Sequence, residues 1–133
     1  RVLSRENYYM GREADLSPVD LALGWGQMSD GAVISKIEIS QSNRWYYWQT
    51  QEAPIPLEMI AVQSANTHMI PANSTVKNQL EALHAGHVVF LSGFLVEVKA
   101  SDGWQWRSSL SREDTGDGAC EVMWVEQVVI EHP

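Results

Sequence analysis

His87-Val88-Val89-Phe90-Leu91-Ser92-Gly93-Phe94-Leu95-Val96-Glu97-Val98-Lys99 is the stretch on which the fold turns. Its apolar residues fall on both parities of an extended chain, so a strand here carries an apolar row toward each side of its sheet. That predicts a central strand covered on both faces rather than a half-wet edge. Gly93, in its middle, is where such a strand can bend or bulge. Ser101-Asp102-Gly103 then supplies a hairpin turn, and Trp104-Gln105-Trp106-Arg107-Ser108-Ser109-Leu110 returns antiparallel with Trp104, Trp106 and Leu110 on one face. A last strand runs from about Cys120 to Ile130, its parity set Val122, Trp124, Val128 and Ile130 facing a core, interrupted by Glu126.

Toward the N-terminus, residues 74 to 85 read as the main helix: Asn73 or Ser74 caps it, Val76, Leu80 and Leu83 recur on one face, and Gly86 ends it. Residues 57 to 63, after the breaks at Pro54 and Pro56, fit either a helical turn or an extended connection. Arg44 to Thr50 is an aromatic strand with Trp45 and Tyr47 on one face and Tyr46 and Trp48 on the other. Ile37 and Ile39 alternate with Glu38 and Ser40 as a strand does, after a short turn capped by Ser29-Asp30 that reaches Ile34. Leu16 to Gly24 reads as a short helix, with Ser17 as cap, Pro18 at its first position and Gly24 as its stop. Residues 2 to 10 suit a strand that Gly11 punctuates. No repeat, low-complexity tract or linker interrupts the chain, which predicts one α+β domain over residues 1–133. Its expected form is a small curved antiparallel β-sheet or closed barrel, with one main helix and short helical turns. An oligonucleotide/oligosaccharide-binding-like barrel is the specific version suggested by the bent run from Gly86 to Leu95.

The 133 residues are 44% hydrophobic and 20% charged, enough apolar content to bury a core without disulfides. Nine basic against 17 acidic residues give a net charge of −8, which disfavours nucleic acid and anionic lipid as partners. Residues 113 to 133 sharpen that asymmetry, with six acids and no Lys or Arg. The single Cys120 excludes an internal disulfide and a thiolate-based zinc site, and leaves the compartment open. No apolar window is long enough to span a membrane. Because the chain opens at Arg1 directly into a strand-like stretch, an upstream segment is expected, a signal peptide or membrane anchor among the possibilities.

Chemistry is sparse. Asp114-Thr115-Gly116 spells the aspartic-protease triplet but follows Ser111-Arg112-Glu113 rather than the apolar strand that buries such a triplet. Asp114, Asp117 and Glu121 could approach a cation, yet they lack the ligand spacing of a calcium loop, so neither a metal nor another cofactor is expected. Cys120 begins an apolar strand as a small buried hydrophobe does, and would need a distant His as base to be a nucleophile. His84 and His87 have chelate-like spacing, but Gly86 ends the helix between them. Asn66 and His68 alternate in the extended, polar segment Ser64 to Asn73, so their side chains can point together, into a pocket or onto buried backbone groups. Of six Trp, five lie on expected strands and are assigned to the core; Trp25, between Gly24 and Gly26, is the one left for a ligand surface.

The stretches Leu16 to Asp30 (LSPVDLALGWGQMSD), Ser64 to Asn73 (SANTHMIPAN) and Trp106 to Glu121 (WRSSLSREDTGDGACE) resemble a family of uncharacterised bacterial proteins. In that family a hydrophobic N-terminal segment precedes one small soluble domain. The resemblance implies an envelope setting, periplasmic or membrane-tethered, and supplies no activity. The expectation is a non-enzymatic bacterial domain that binds a protein, or a small polar ligand such as a glycan, through Trp25, Asn66, His68, Asp114, Asp117 and Cys120. The alternative is a hydrolase using Cys120 or Asp114 with His68. A third reading is an assembly module whose exposed sheet edges pair with a second copy, and the oligomeric state is open.

Overall fold

The computed structural model describes residues 1–110 and 120–132. In chain order the elements are β1 (Val2–Asn7), α1 (Arg12–Leu16), β2 (Val19–Gly24), α2 (Gly31–Ile34), β3 (Glu38–Ser42), β4 (Trp45–Gln49), α3 (Leu57–Val62), β5 (Ser64–Pro71), α4 (Ser74–Glu81), β6 (Val88–Leu95), β7 (Glu97–Lys99), β8 (Gln105–Arg107) and β9 (Glu121–His132). Five strands form the main sheet in the order β1-β2-β5-β9-β6, while β3–β4 and β7–β8 are separate two-stranded ribbons. The architecture is α+β with a sheet at its centre. Among the described residues the sheet is open, with β1 and β6 at its edges, and is mixed rather than wholly antiparallel, because β5 and β9 run parallel.

Two expectations fail at the level of local structure. Val19–Gly24 form strand β2, not the second half of a helix; the short helix α1 ends before it, at Leu16. Ser17-Pro18 and Gly24 mimic helix signals, but Val19, Leu21 and Leu23 alternate with Asp20, Ala22 and Gly24, and pairing with β1 on one side and β5 on the other overrides the cap chemistry. The stretch from 87 to 99 is also not central: it divides at Val96, and β6 lies on the sheet's edge with Phe90 49% and Phe94 62% exposed. Other readings hold. Asn73 caps α4, its side chain accepting from the Val76 N–H at 3.0 Å, Asp30 caps α2, and residues 57–62 take the helical option.

The sheet buries different chemistry on its two faces. On one, Val76, Leu80 and Leu83 lie against Val19, Leu21, Met69, Val125 and Val128. Each such buried side chain stabilises the fold by about 1.5–3 kcal/mol. On the other, Leu3, Ala22, Met28, Ile37, Ile55 and Ile60 form a second cluster under the β3–β4 ribbon, with Tyr46 and Trp48 at its margin. The five Trp assigned to the core lie outside its fully buried part, contrary to expectation, and Trp124 is 37% exposed.

A bulge explains why the β9 parity set fails. Pairing steps from Ser92–Gln127 to Gly93–Val125, which leaves Glu126 unpaired and switches the faces of the residues beyond it. Val125 and Val128 thereby both reach the α4 side, while Ile130 is 47% exposed. Gly93 is required at this step, since a Cβ there would stand 1.8 Å from the Trp124 carbonyl oxygen. Gly93→Ala is therefore expected to lower stability by several kcal/mol, on the order of the whole folding free energy of a small domain, measured by urea unfolding or loss of soluble protein.

His84 and His87 stack with ring centroids 3.7 Å apart, and His87 Nδ1 accepts from the His84 N–H at 3.2 Å, so this nitrogen is unprotonated. Burial, aided by His84, holds the His87 pKa below its ordinary 6.5. As pH falls, the unfolded chain takes up this proton first, so stability is lost from about pH 6.5 downward. His87→Gln is expected to flatten the pH dependence of unfolding free energy between about pH 7 and 5 relative to the parent, read from denaturant curves across that range.

Candidate functional site

Asp20 is the centre of a buried polar cluster. Its side chain is 1% exposed and faces away from Val19 and Leu21, opposite His68 on β5. Oδ1 accepts from Arg44 Nη1 at 2.7 Å and from His68 Nδ1 at 2.9 Å, and Oδ2 accepts from Asn66 Nδ2 at 3.2 Å. An ionised carboxylate only accepts, so His68 carries a proton on Nδ1. Asn66 also donates from Nδ2 to the Arg44 carbonyl at 3.0 Å and accepts on Oδ1 from Gln41 Nε2 at 2.8 Å.

Arg44 reaches Asp20 from the turn of the β3–β4 ribbon. Asn43 and Arg44 form that two-residue loop with φ of 51° and 69°, the left-handed pair that a tight hairpin needs. Asn tolerates this conformation; for Arg it costs about 1–2 kcal/mol. Compensation comes from every part of the residue. Its N–H donates to Tyr8 Oη at 2.9 Å, Nη2 donates to the Ser17 carbonyl at 2.8 Å, and the guanidinium lies 3.9 Å from the Tyr8 ring centroid. Burial raises the Tyr8 pKa, keeping the phenol neutral as an acceptor.

Aromatic rings roof the cluster. Trp106 on β8 stacks on His68 with centroids 4.4 Å apart, and the Arg44 guanidinium sits 5.4 Å from the same indole. Trp104 follows 5.9 Å further out, with Arg12 5.2 Å over its ring. Arg12 is tied in turn to Asp102 by a 2.6 Å ion pair, which lowers the Asp102 pKa. Both indoles are partly exposed. Beneath them Ser108 Oγ accepts from the Val122 N–H at 3.0 Å and the Ser109 N–H donates to the Cys120 carbonyl at 3.0 Å, joining the end of β8 to the start of β9.

The structure thus gathers Asn66, His68 and Cys120, whose Sγ lies 3.9 Å from the Arg44 carbonyl that Asn66 also holds. Trp25 is not with them. Its N–H donates to the Gln63 carbonyl at 3.0 Å, roughly 16 Å along β2 from Asp20 at strand rise. Asp114 and Asp117 lie outside the described residues. Asp20, Arg44 and Trp106 are the members the sequence reading missed. The period-2 alternation around Asp20 was the available signal for one of them. Two open grooves, about 620 and 500 Å³, lie elsewhere, along the β3–β4 ribbon on either side of Glu38 and Gln49, with Tyr47 at one wall.

Removing the Arg44 charge leaves a carboxylate buried without its cation. Arg44→Met is expected to cost about 3 kcal/mol or more, and Arg44→Lys to recover only part, because a single ammonium cannot serve the Asp20 carboxylate and the Ser17 carbonyl as a planar fork does; equilibrium urea unfolding checks both. In comparisons with family models, with curated proteins and with solved structures, nothing matches this chain.

Proposed function

We propose that the chain is a non-enzymatic binding domain for a small polar ligand with an apolar ring face, a glycan first of all, received at Trp104 and Trp106. The observation that carries this reading is the partly exposed Trp106 indole set on the buried Asp20–His68–Arg44 cluster, with the Trp104 ring 5.9 Å beyond it. A pyranose offers C–H groups to a flat ring and hydroxyls around its rim, and the rim of this platform carries Arg12, over Trp104, and its partner Asp102. Rigidity supports the same reading: Trp106 rests on His68 and Arg44, both fixed on Asp20, so little order has to be gained on binding. The cluster itself serves as a foundation, since the Asp20 oxygens are already occupied by Arg44, His68 and Asn66. An envelope setting in bacteria accompanies this proposal, on the strength of the family resemblance alone.

The second reading, a hydrolase using His68 with Cys120 or Asp114, is favoured by one observation. Asp20 orients His68 through Nδ1, as a carboxylate orients a catalytic imidazole, and Cys120 immediately precedes the neighbouring strand β9. Against it, the His68 side chain is only 3% exposed.

Titration against a glycan panel separates the possibilities. Trp104→Ala and Trp106→Ala, confirmed folded by their melting curves, are expected to weaken binding at least about tenfold, while Tyr47→Ala leaves it unchanged. Loss of binding in Tyr47→Ala with Trp104→Ala and Trp106→Ala unaffected places the ligand in the β3–β4 grooves and overturns the proposal. Turnover of chromogenic esters that disappears in Cys120→Ser establishes the hydrolase instead.

A further inference from the structure

The edge strand β6 has a feature its sheet does not explain. It pairs with β9 along one side only; among the described residues β1 meets the chain just ahead of it, where Val2 bonds to Gly86 and His87, and no strand besides β9 pairs with Val88 to Leu95. Its sequence, Val88 to Leu95, contains no charged residue and no proline, in a chain with 17 acids. Exposed edges in soluble proteins are ordinarily blunted by such residues, because unpaired N–H and C=O groups on a long apolar strand recruit another strand. The two irregularities, at Glu126 and at Glu131, both lie on β9 and leave β6 itself continuous.

The sheet face beside this edge is apolar as well. Phe90 lies across from Val129 and Phe94 across from Trp124, and these four side chains are 49%, 42%, 62% and 37% exposed. The β3–β4 ribbon covers the same sheet face over its other half, where Leu3, Ala22 and their neighbours are buried.

We infer that β6 is the seam of a two-fold dimer, pairing antiparallel with β6 of a second copy to give one continuous ten-stranded sheet. The occupant is a second copy because the outward row Phe90, Ser92, Phe94 reads the same in both directions. A dyad at Ser92 sets Phe90 of each chain against Phe94 of the other and places only the small Ser92 hydroxyls on the axis. Cross-strand aromatic pairs of this kind are the favourable units of sheet pairing, and an isologous contact requires just such self-complementarity. Charge points the same way: β6 sets no like charges opposite one another, although each copy carries −8. Across the seam Phe90 and Phe94, 49% and 62% exposed in the single chain, gain each other as neighbours.

Light scattering coupled to size exclusion tests the seam, with the intact chain loaded at about 100 μM, where a micromolar dimer is nearly complete. A mass of two chains is expected for the parent and of one chain for Ser92→Lys, which places two ammonium groups on the dyad. Should Ser92→Lys fail to fold, Phe94→Glu is read in its place, its side chain being the most exposed of the row. Circular dichroism of either monomeric variant matching the parent completes the support. A monomeric parent at that concentration overturns the inference, as does a folded Ser92→Lys or Phe94→Glu that remains dimeric. Ligand binding by the monomeric variant is read separately from its mass. Its loss or survival leaves the outcome for the seam unchanged.

Discussion

The 2.7 Å contact between Arg44 and Asp20 is the interaction on which the remaining structure leans. A carboxylate that is 1% exposed has given up its hydration, at a cost of several kcal/mol, and the Coulombic gain offsets that cost only if the remaining lone pairs are filled as well. Asn66 and His68 fill them. Each partner comes from a different place: Arg44 from the ribbon turn, Asn66 and His68 from β5, Asp20 from β2. Satisfying one charge therefore fixes the position of the β3–β4 ribbon over the sheet. His68 and Arg44 in turn present the surface on which Trp106 rests, so the β7–β8 ribbon is placed by the same carboxylate. The left-handed backbone of Arg44 belongs to this balance: the turn accepts an unfavourable conformation because its side chain has a buried anion to reach.

Legibility in the sequence followed the range of the interactions. Helix α4 was readable from its cap and its apolar stripe, which are local, although it ends at Glu81, short of the expected stop at Gly86, and Leu83 packs from beyond its end. β9 and β6 were readable as strands from their composition. Their position in the sheet was not, since apolar residues on both parities describe a strand covered by its own chain and a strand left for another chain equally well. β2 failed for a different reason. Ser17-Pro18 and Gly24 are local signals, whereas its pairing with β1 and β5 is a tertiary fact that outweighs them.

At the candidate site the same division holds. Asn66 and His68 could be picked out because two hydrogen-bonding side chains alternate within one extended segment, and they do share a face. Their common acceptor, Asp20, lies 46 and 48 positions away, and Arg44 is as remote from Cys120 as 76 positions. No periodicity reports such pairings. The tryptophans misled for a physical reason: an indole buries much area without being fully enclosed, so strand placement alone did not distinguish a core ring from a platform. Trp25 was singled out because its glycine neighbours lack side chains, but Gly24 is there to let the chain approach the Met28 carbonyl, 2.2 Å from where a Cβ would stand.

The polar cluster also determines which part of the sheet stays bare. With Arg44 anchored on Asp20, β3 lies over β1 and β4 over β5. Two strands span about 10 Å, whereas five at the usual spacing span about 24 Å, so a ribbon tethered over β2 does not extend to β9 and β6. An apolar interaction alone would have let the ribbon slide toward Phe90 and Phe94, where more hydrophobic area is available to it. The buried charge forbids that, because any shift strands Asp20 without its cation, a loss larger than the gain from covering a partly exposed ring. Leaving Phe90, Phe94 and Trp124 uncovered is thus the consequence of holding one carboxylate, and whatever covers them must come from outside the ribbon.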